Sequence, residues 1–150
     1  MDAVDGPRLT EPGFAGVWSV RDVIAHVTTY ERWLLDAMLA AGRREQPAPS
    51  TLDGGDIDAR NQVAHEQTAA LSLAAVQAEA RDVWAQLLPA VERVPEAELL
   101  DLDQAPDFVM KGWGRDTRLW EAIAGLTTEH YEEHLPDFAA WAPAAARREV

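Results

Sequence analysis

The sequence predicts an all-α fold, and three observations carry that reading. Apolar residues recur at helical spacing almost throughout. No segment alternates polar and apolar residues as a half-buried strand does. Helix-starting residues also stand at the heads of the periodic stretches. The first strong stretch follows Trp18. Ser19 can cap it, with Asp22 three residues on as its capping-box partner, an acid substituting for the usual Glu. Val20, Val23, Ile24, Val27, Tyr30, Trp33, Leu34 and Met38 then trace a broad stripe for burial. Gly42, followed by Arg43 and Arg44, is a natural stop.

Pro47, Pro49, Gly54 and Gly55 make 43–55 a loop. A second helix is expected from near Asp56, carrying Arg60, Asn61 and His65. Ser72 caps or kinks the passage into a third segment, where Leu73, Val76, Ala80, Val83, Trp84, Leu87 and Val91 have core spacing. Pro89 lacks a backbone donor and should bend the last turn of that segment. Val94-Pro95-Glu96 starts a short extra turn, and 101–116 reads as irregular, with Gly112 and Gly114 around Trp113. The last long helix should begin near Asp116-Thr117, bury Leu119, Trp120, Ile123, His130, Tyr131, His134, Phe138 and Trp141, and kink at Pro136. The pattern gives three long helical stretches, or four if 56–71 and 72–93 are separate. All of 1–150 fits one domain, with 1–17 irregular.

Composition removes several classes of function. The chain carries 26 acids against 13 bases, a formal charge of −13. A protein whose main ligand is nucleic acid needs a basic face to displace counterions from phosphates, so none is expected. No run of about 18 uncharged apolar residues occurs, so no membrane span is expected either. Cysteine is absent, which rules out disulfides, thiolate ligands and a cysteine nucleophile. That absence and an acidic start with no apolar signal core point to the cytoplasm. Six tryptophans in so small a chain must fill the core or line a pocket; core is the plainer reading, with Trp113, in its Gly-flanked loop, the best candidate for a pocket wall.

Only four histidines occur, and two form His130-x-x-x-His134. Residues four apart sit one turn above each other on one helix face, where two imidazoles can share a metal ion. The pair lies among Ile123, Leu126, Tyr131 and Leu135, and His26 has a similar setting between Val23, Ile24, Val27 and Tyr30. Three imidazoles suit a divalent ion and leave positions open for water or substrate. The plainer reading makes His26 a core histidine bonded to a backbone carbonyl or to Asp22. His65 follows Asn61 by four residues, so both can face the bundle interior, although a solvated or capping His65 is the simpler role. Glu129, Glu132 and Glu133 read as a solvated face, with Glu133 a candidate to orient an imidazole. No nucleophile elbow, phosphate-binding glycine loop or zincin motif is present.

Gly16-Val17-Trp18-Ser19-Val20-Arg21-Asp22-Val23-Ile24-Ala25-His26-Val27, with Tyr30-Glu31-Arg32-Trp33, resembles the "WSVKDVLAHL…WE" segment of DinB/YfiT-like bundles. Gly125-Leu126-Thr127-Thr128-Glu129-His130-Tyr131-Glu132-Glu133-His134 is similar to their "GNTYxHYxEH" segment. Asp58-Ala59-Arg60-Asn61 and the stretch from Val94 to Leu99 also have counterparts there. The resemblance covers about 9–141 and is nearest the ClbS/DfsB-like (DUF1706) branch. It implies an antiparallel four-helix bundle and a metal, commonly zinc or nickel, held by His26, His130 and His134. It further implies thiol-dependent S-transfer, isomerisation or hydrolysis of a small molecule, with a low-molecular-weight thiol as co-substrate. Tyr30, Asn61, His65 and Trp113 are the candidate pocket residues.

Two departures stand out. Leu126 and Thr128 replace polar and aromatic residues common before the His-Tyr pair. The family's first helix is also short or missing, since Gly6, Pro7, Pro12, Gly13 and Gly16 interrupt the residues before Trp18. A bundle lacking one helix exposes an apolar groove. The expectation is therefore a homodimer that covers it, or a chain that starts upstream of Met1. Two other functions compete with a metalloenzyme: a metal-free protein that binds or sequesters small molecules, as in resistance, and a structural protein whose groove accepts another chain's helix.

Overall fold

The computed structural model describes residues 6–54, 56–101 and 117–146. They form an all-α assembly without strands among the described residues. A 3-10 turn at Gly6–Thr10 precedes α1 (Val20–Gly42), α2 (Ile57–Thr68), α3 (Leu73–Glu92), the single turn α4 (Glu96–Leu99), α5 (Leu119–Leu126) and α6 (Thr128–Ala146). No helix among the described residues is long and apolar enough to cross a membrane. The segment before Trp18, expected to lack the family's first helix, is from Gly6 onward a 3-10 turn and a tight reversal.

That reversal runs from Phe14 to Trp18. The Phe14 amide donates to the Trp18 carbonyl at 2.9 Å, and Ala15 and Trp18 form an isolated bridge. Gly16 sits at φ 63, in the left-handed region that an L side chain enters at a cost. The turn brings Trp18 back over the start of α1.

Ser19 caps α1 as its sequence predicts. Its hydroxyl accepts from the Asp22 amide at 3.2 Å, and its own amide donates to Asp22 Oδ2 at 2.9 Å. Ser19 is buried, so losing the cap leaves amides that water reaches poorly. Ser19→Ala is expected to destabilise the protein by about 1 kcal/mol in a urea titration; an unchanged midpoint would show that the cap contributes nothing. At the other end α1 stops at Gly42, but the left-handed residue is Arg44, at φ 58.

α1 is the central element and packs on α3, α2 and α5. Tyr30, Leu34, Leu35 and Met38 of α1 meet Leu87 and Ala90 of α3 and Leu119, Ala122 and Leu126 of α5 in the main core. A smaller cluster joins Phe14 to Val20, Val23 and Val27 and is flanked by Trp141. The tryptophans are not the core: Trp18, Trp33, Trp84 and Trp141 are only partly buried and Trp120 is exposed, while Trp113 lies outside the described residues. Branched aliphatics fill the interior without a polar atom to satisfy. The indoles keep an edge where the N–H finds a partner, as Trp84 does on the Tyr131 hydroxyl at 3.2 Å.

The last helical stretch is interrupted, though not at Pro136, which sits inside α6. The break is at Thr127, with φ −127 and ψ −99. Its hydroxyl donates back to the Ile123 carbonyl at 2.6 Å, a local bond that competes with the helix ladder. The HxxxH pair thus lies near the start of a new helix. Pro89 likewise lies inside α3, which continues to Glu92.

Candidate metal centre

α1 presents His26 and α6 presents His130 and His134 to one buried spot. His26 Nε2 and His130 Nε2 stand 2.9 Å apart across 104 residues of chain. One nitrogen from each of the three imidazoles lies within 4.8 Å of the others. The ring centroids are 4.7 Å apart for His26–His130, 5.7 Å for His26–His134 and 5.5 Å for His130–His134.

Burial decides the protonation of two of these rings. His26 and His130 are buried. Desolvation, reinforced by repulsion from His130 and His134, drives His26 down from 6.5 to about 3. Desolvation and His134 take His130 down to about 4. Both are neutral near pH 7, the form that donates a lone pair to a metal.

The hydrogen bonding leaves a deficit. His26 Nδ1, His130 Nδ1 and His134 Nε2 are buried with no hydrogen-bond partner. The carbonyl or Asp22 bond expected of a core His26 is absent. Asp22 instead holds Ser19 and pairs with Arg21. Buried polar atoms without partners are costly and uncommon, but the orphaned Nδ1 atoms of His26 and His130 are not the Nε2 atoms that approach each other, so the fit to a metal rests on the approach of the three imidazoles. Tetrahedral zinc with N ligands at about 2.0–2.1 Å sets them roughly 3.3 Å apart. The His26–His130 pair needs a few tenths of an ångström of spreading, and His134 an approach of up to about 1.5 Å. These residues fit a metal ion.

Around the triad stand three of the four residues expected to line a pocket. The Tyr30 ring meets His26 and His130 edge-on at 5.1 and 5.3 Å, and its hydroxyl donates to Asn61 Oδ1 at 2.9 Å. His65 stacks on Trp18 at 5.4 Å, and Trp18 in turn meets His26 edge-on at 5.1 Å. His65 Nε2 also lies 3.9 Å from Asp22 Oδ1. It is therefore half-buried beside the triad, joined to it through Trp18. The fourth expected residue, Trp113, lies outside the described residues.

Two residues were missed. Trp18 reads from sequence as a core tryptophan but bridges His26 and His65. Asp137, and not Glu133, is the carboxylate facing the triad, its Oδ2 3.6 Å from His134 Nδ1. Spacing of three from His134 on one helix was the available signal.

The fold and the triad together define a helical bundle built to carry a three-histidine centre. The chain belongs to the DinB superfamily, whose family model (DinB_2) matches residues 2–138. No curated protein and no solved structure matches the chain.

Proposed function

We propose that this protein is a metal-dependent enzyme acting on a small electrophilic or thiol-bearing molecule, with His26, His130 and His134 holding one divalent ion, zinc or nickel. The observation that carries the reading is the convergence of three imidazole nitrogens within 4.8 Å in a buried setting. A bound divalent ion would lower the pKa of a thiol or water and supply the nucleophile. Three ligands from the protein leave room for that group. S-transfer with a low-molecular-weight thiol, or hydrolysis, fits such a centre, and placement in the ClbS/DfsB-like branch rests on the two histidine segments alone.

The elemental content of purified protein tests the assignment. The expectation is about one metal per chain in the wild type and none in His130→Ala. Absence of metal from the wild type after incubation with zinc or nickel would overturn it. The second reading is a metal-free binding or sequestration protein. It is favoured by the 2.9 Å His26–His130 contact, which a neutral pair can fill with one hydrogen bond.

A homodimer is part of the proposal. Leu88 on α3 and Tyr131, Leu135 and Phe138 on α6 are exposed apolar side chains, and Trp84 of α3 stacks on Tyr131 at 6.4 Å. A second copy would cover that face.

A further inference from the structure

An arginine closes α1 where a glycine would be easier. The Arg44 amide donates to the Ala41 carbonyl at 2.8 Å and the Glu45 amide to the Ala40 carbonyl at 2.9 Å, the crossed bonds that end a helix through one left-handed residue. Glycine usually fills that position, because a Cβ is costly there. Here Arg44 fills it, at φ 58, while Gly42 lies inside the helix. Backbone strain kept at one residue points to a use for its side chain.

Arg44 borders a cavity of about 500 Å³ at the end of α1 remote from the histidines. Met38 in its wall lies roughly 18 Å along α1 from His26, at about 1.5 Å of rise per residue. Met38, Leu39, Ala90, Val94 and Leu119 give the cavity an apolar lining. Arg43, Arg44 and Arg93 border it as well, against one acid, Glu98, in a chain with only 13 basic residues. Arg43 is paired with Glu45 at 2.7 Å. Arg43 and Arg93 also stand just past α1 and α3, where a cation favours the helix dipole. Arg43 already fills that role for α1, so it does not account for Arg44. Neither the Arg44 nor the Arg93 guanidinium has a hydrogen bond or ion pair among the described residues.

An apolar cavity edged by unpaired guanidinium groups suits an aliphatic body with an anionic head. With Arg43 offset by Glu45, the other two arginines against Glu98 leave one positive charge. That balance matches a carboxylate better than a dianionic phosphate. We propose that this cavity is a second ligand site, binding a medium-chain aliphatic carboxylate with its chain on Met38, Val94 and Leu119 and its head at Arg44 and Arg93. The site is independent of the histidine cluster and of the activity proposed there.

Calorimetric titration with octanoate, octanamide and butyrate tests this, because the first two differ in charge and the first and third in chain length. The wild type should bind octanoate at least about tenfold more tightly than octanamide and at least about thirtyfold more tightly than butyrate. Arg44→Gly and Arg93→Gln should each reduce the preference over octanamide to about threefold or less. Arg44→Gly should also melt roughly 1–3 °C higher than the wild type, so that lost binding is not lost folding. His130→Ala should keep both preferences.

Failure of octanoate to bind, or equal affinity for octanamide in the wild type, overturns the proposal. So does a preference for the carboxylate that survives in Arg44→Gly, or one that disappears in His130→Ala, which would place the head at the histidines.

Discussion

Replacing Glu31 by Gln is expected to stabilise the protein by about 3 kcal/mol at pH 9 and to change it little at pH 4. Glu31 lies in the middle of α1 and is wholly buried. Trp84 and Tyr131 are the polar groups that face it, yet neither carboxylate oxygen has a partner in hydrogen-bonding geometry. Burial therefore lifts its pKa from 4.5 to about 7, with Tyr131 and Trp84 opposing the rise. The folded value exceeds the unfolded one, so the native state holds the proton more tightly. Its stabilising share is complete below pH 4.5 and is lost as pH rises through about 7. At about 1.4 kcal/mol per pH unit, the gap between the two values gives the 3 kcal/mol above. Urea titrations of wild type and variant between pH 4 and 9 check this, since every other group cancels in the difference. Parallel stability curves would show that Glu31 stays ionised in the folded protein.

The second large effect concerns the triad. In the absence of metal, the double variant His26→Leu, His130→Leu is expected to be more stable than the wild type by about 2–4 kcal/mol. The two imidazoles bury a pair of Nδ1 atoms that bond to nothing, and each orphan costs about 1–3 kcal/mol. Leucine removes both at similar volume, and changing the two together avoids stranding one Nε2. With zinc at about a thousand times its dissociation constant the order should invert, because the wild type alone gains roughly 4 kcal/mol from binding. Thermal melts with and without zinc read both halves. A double variant less stable than metal-free wild type would mean that the His26–His130 bond outweighs the orphans. The pattern expected here is that of a function-bearing site that sacrifices stability.

Much of this was legible in the residues. The start of α1 followed from Ser19 and Asp22, and the starts of α2 and α3 from Asp56 and Ser72, since a short polar side chain just before an apolar run has one strong local use. The triad could be nominated because His130 and His134 share a helix face and His26 lies on an apolar one. That the rings converge was not legible, because it depends on how α1 and α6 pack. Thr127 escaped notice for a related reason: Pro136 is the louder signal, yet α6 runs on through it, while the break falls at Thr127, whose hydroxyl bonds back to the Ile123 carbonyl. The tryptophans misled because size was read as burial. Glu31 was missed because its polarity was read as exposure, although it stands between Val27 and Leu34 on the apolar stripe of α1 that packing encloses.

The span between His26 and His130 also bears on the order of events in folding. A contact that joins positions 104 residues apart closes a longer loop than any α1 and α3 contact, at a cost that grows slowly with length and that docking of the intervening helices lowers. The α1 and α3 pairing, closer in the chain and richer in apolar contact, is available much earlier. The histidine cluster is thus assembled late, on a scaffold that already exists. An ion seated there would act as a latch and not as a seed, and is expected to slow the departure of α6 and lengthen the lifetime of the native state.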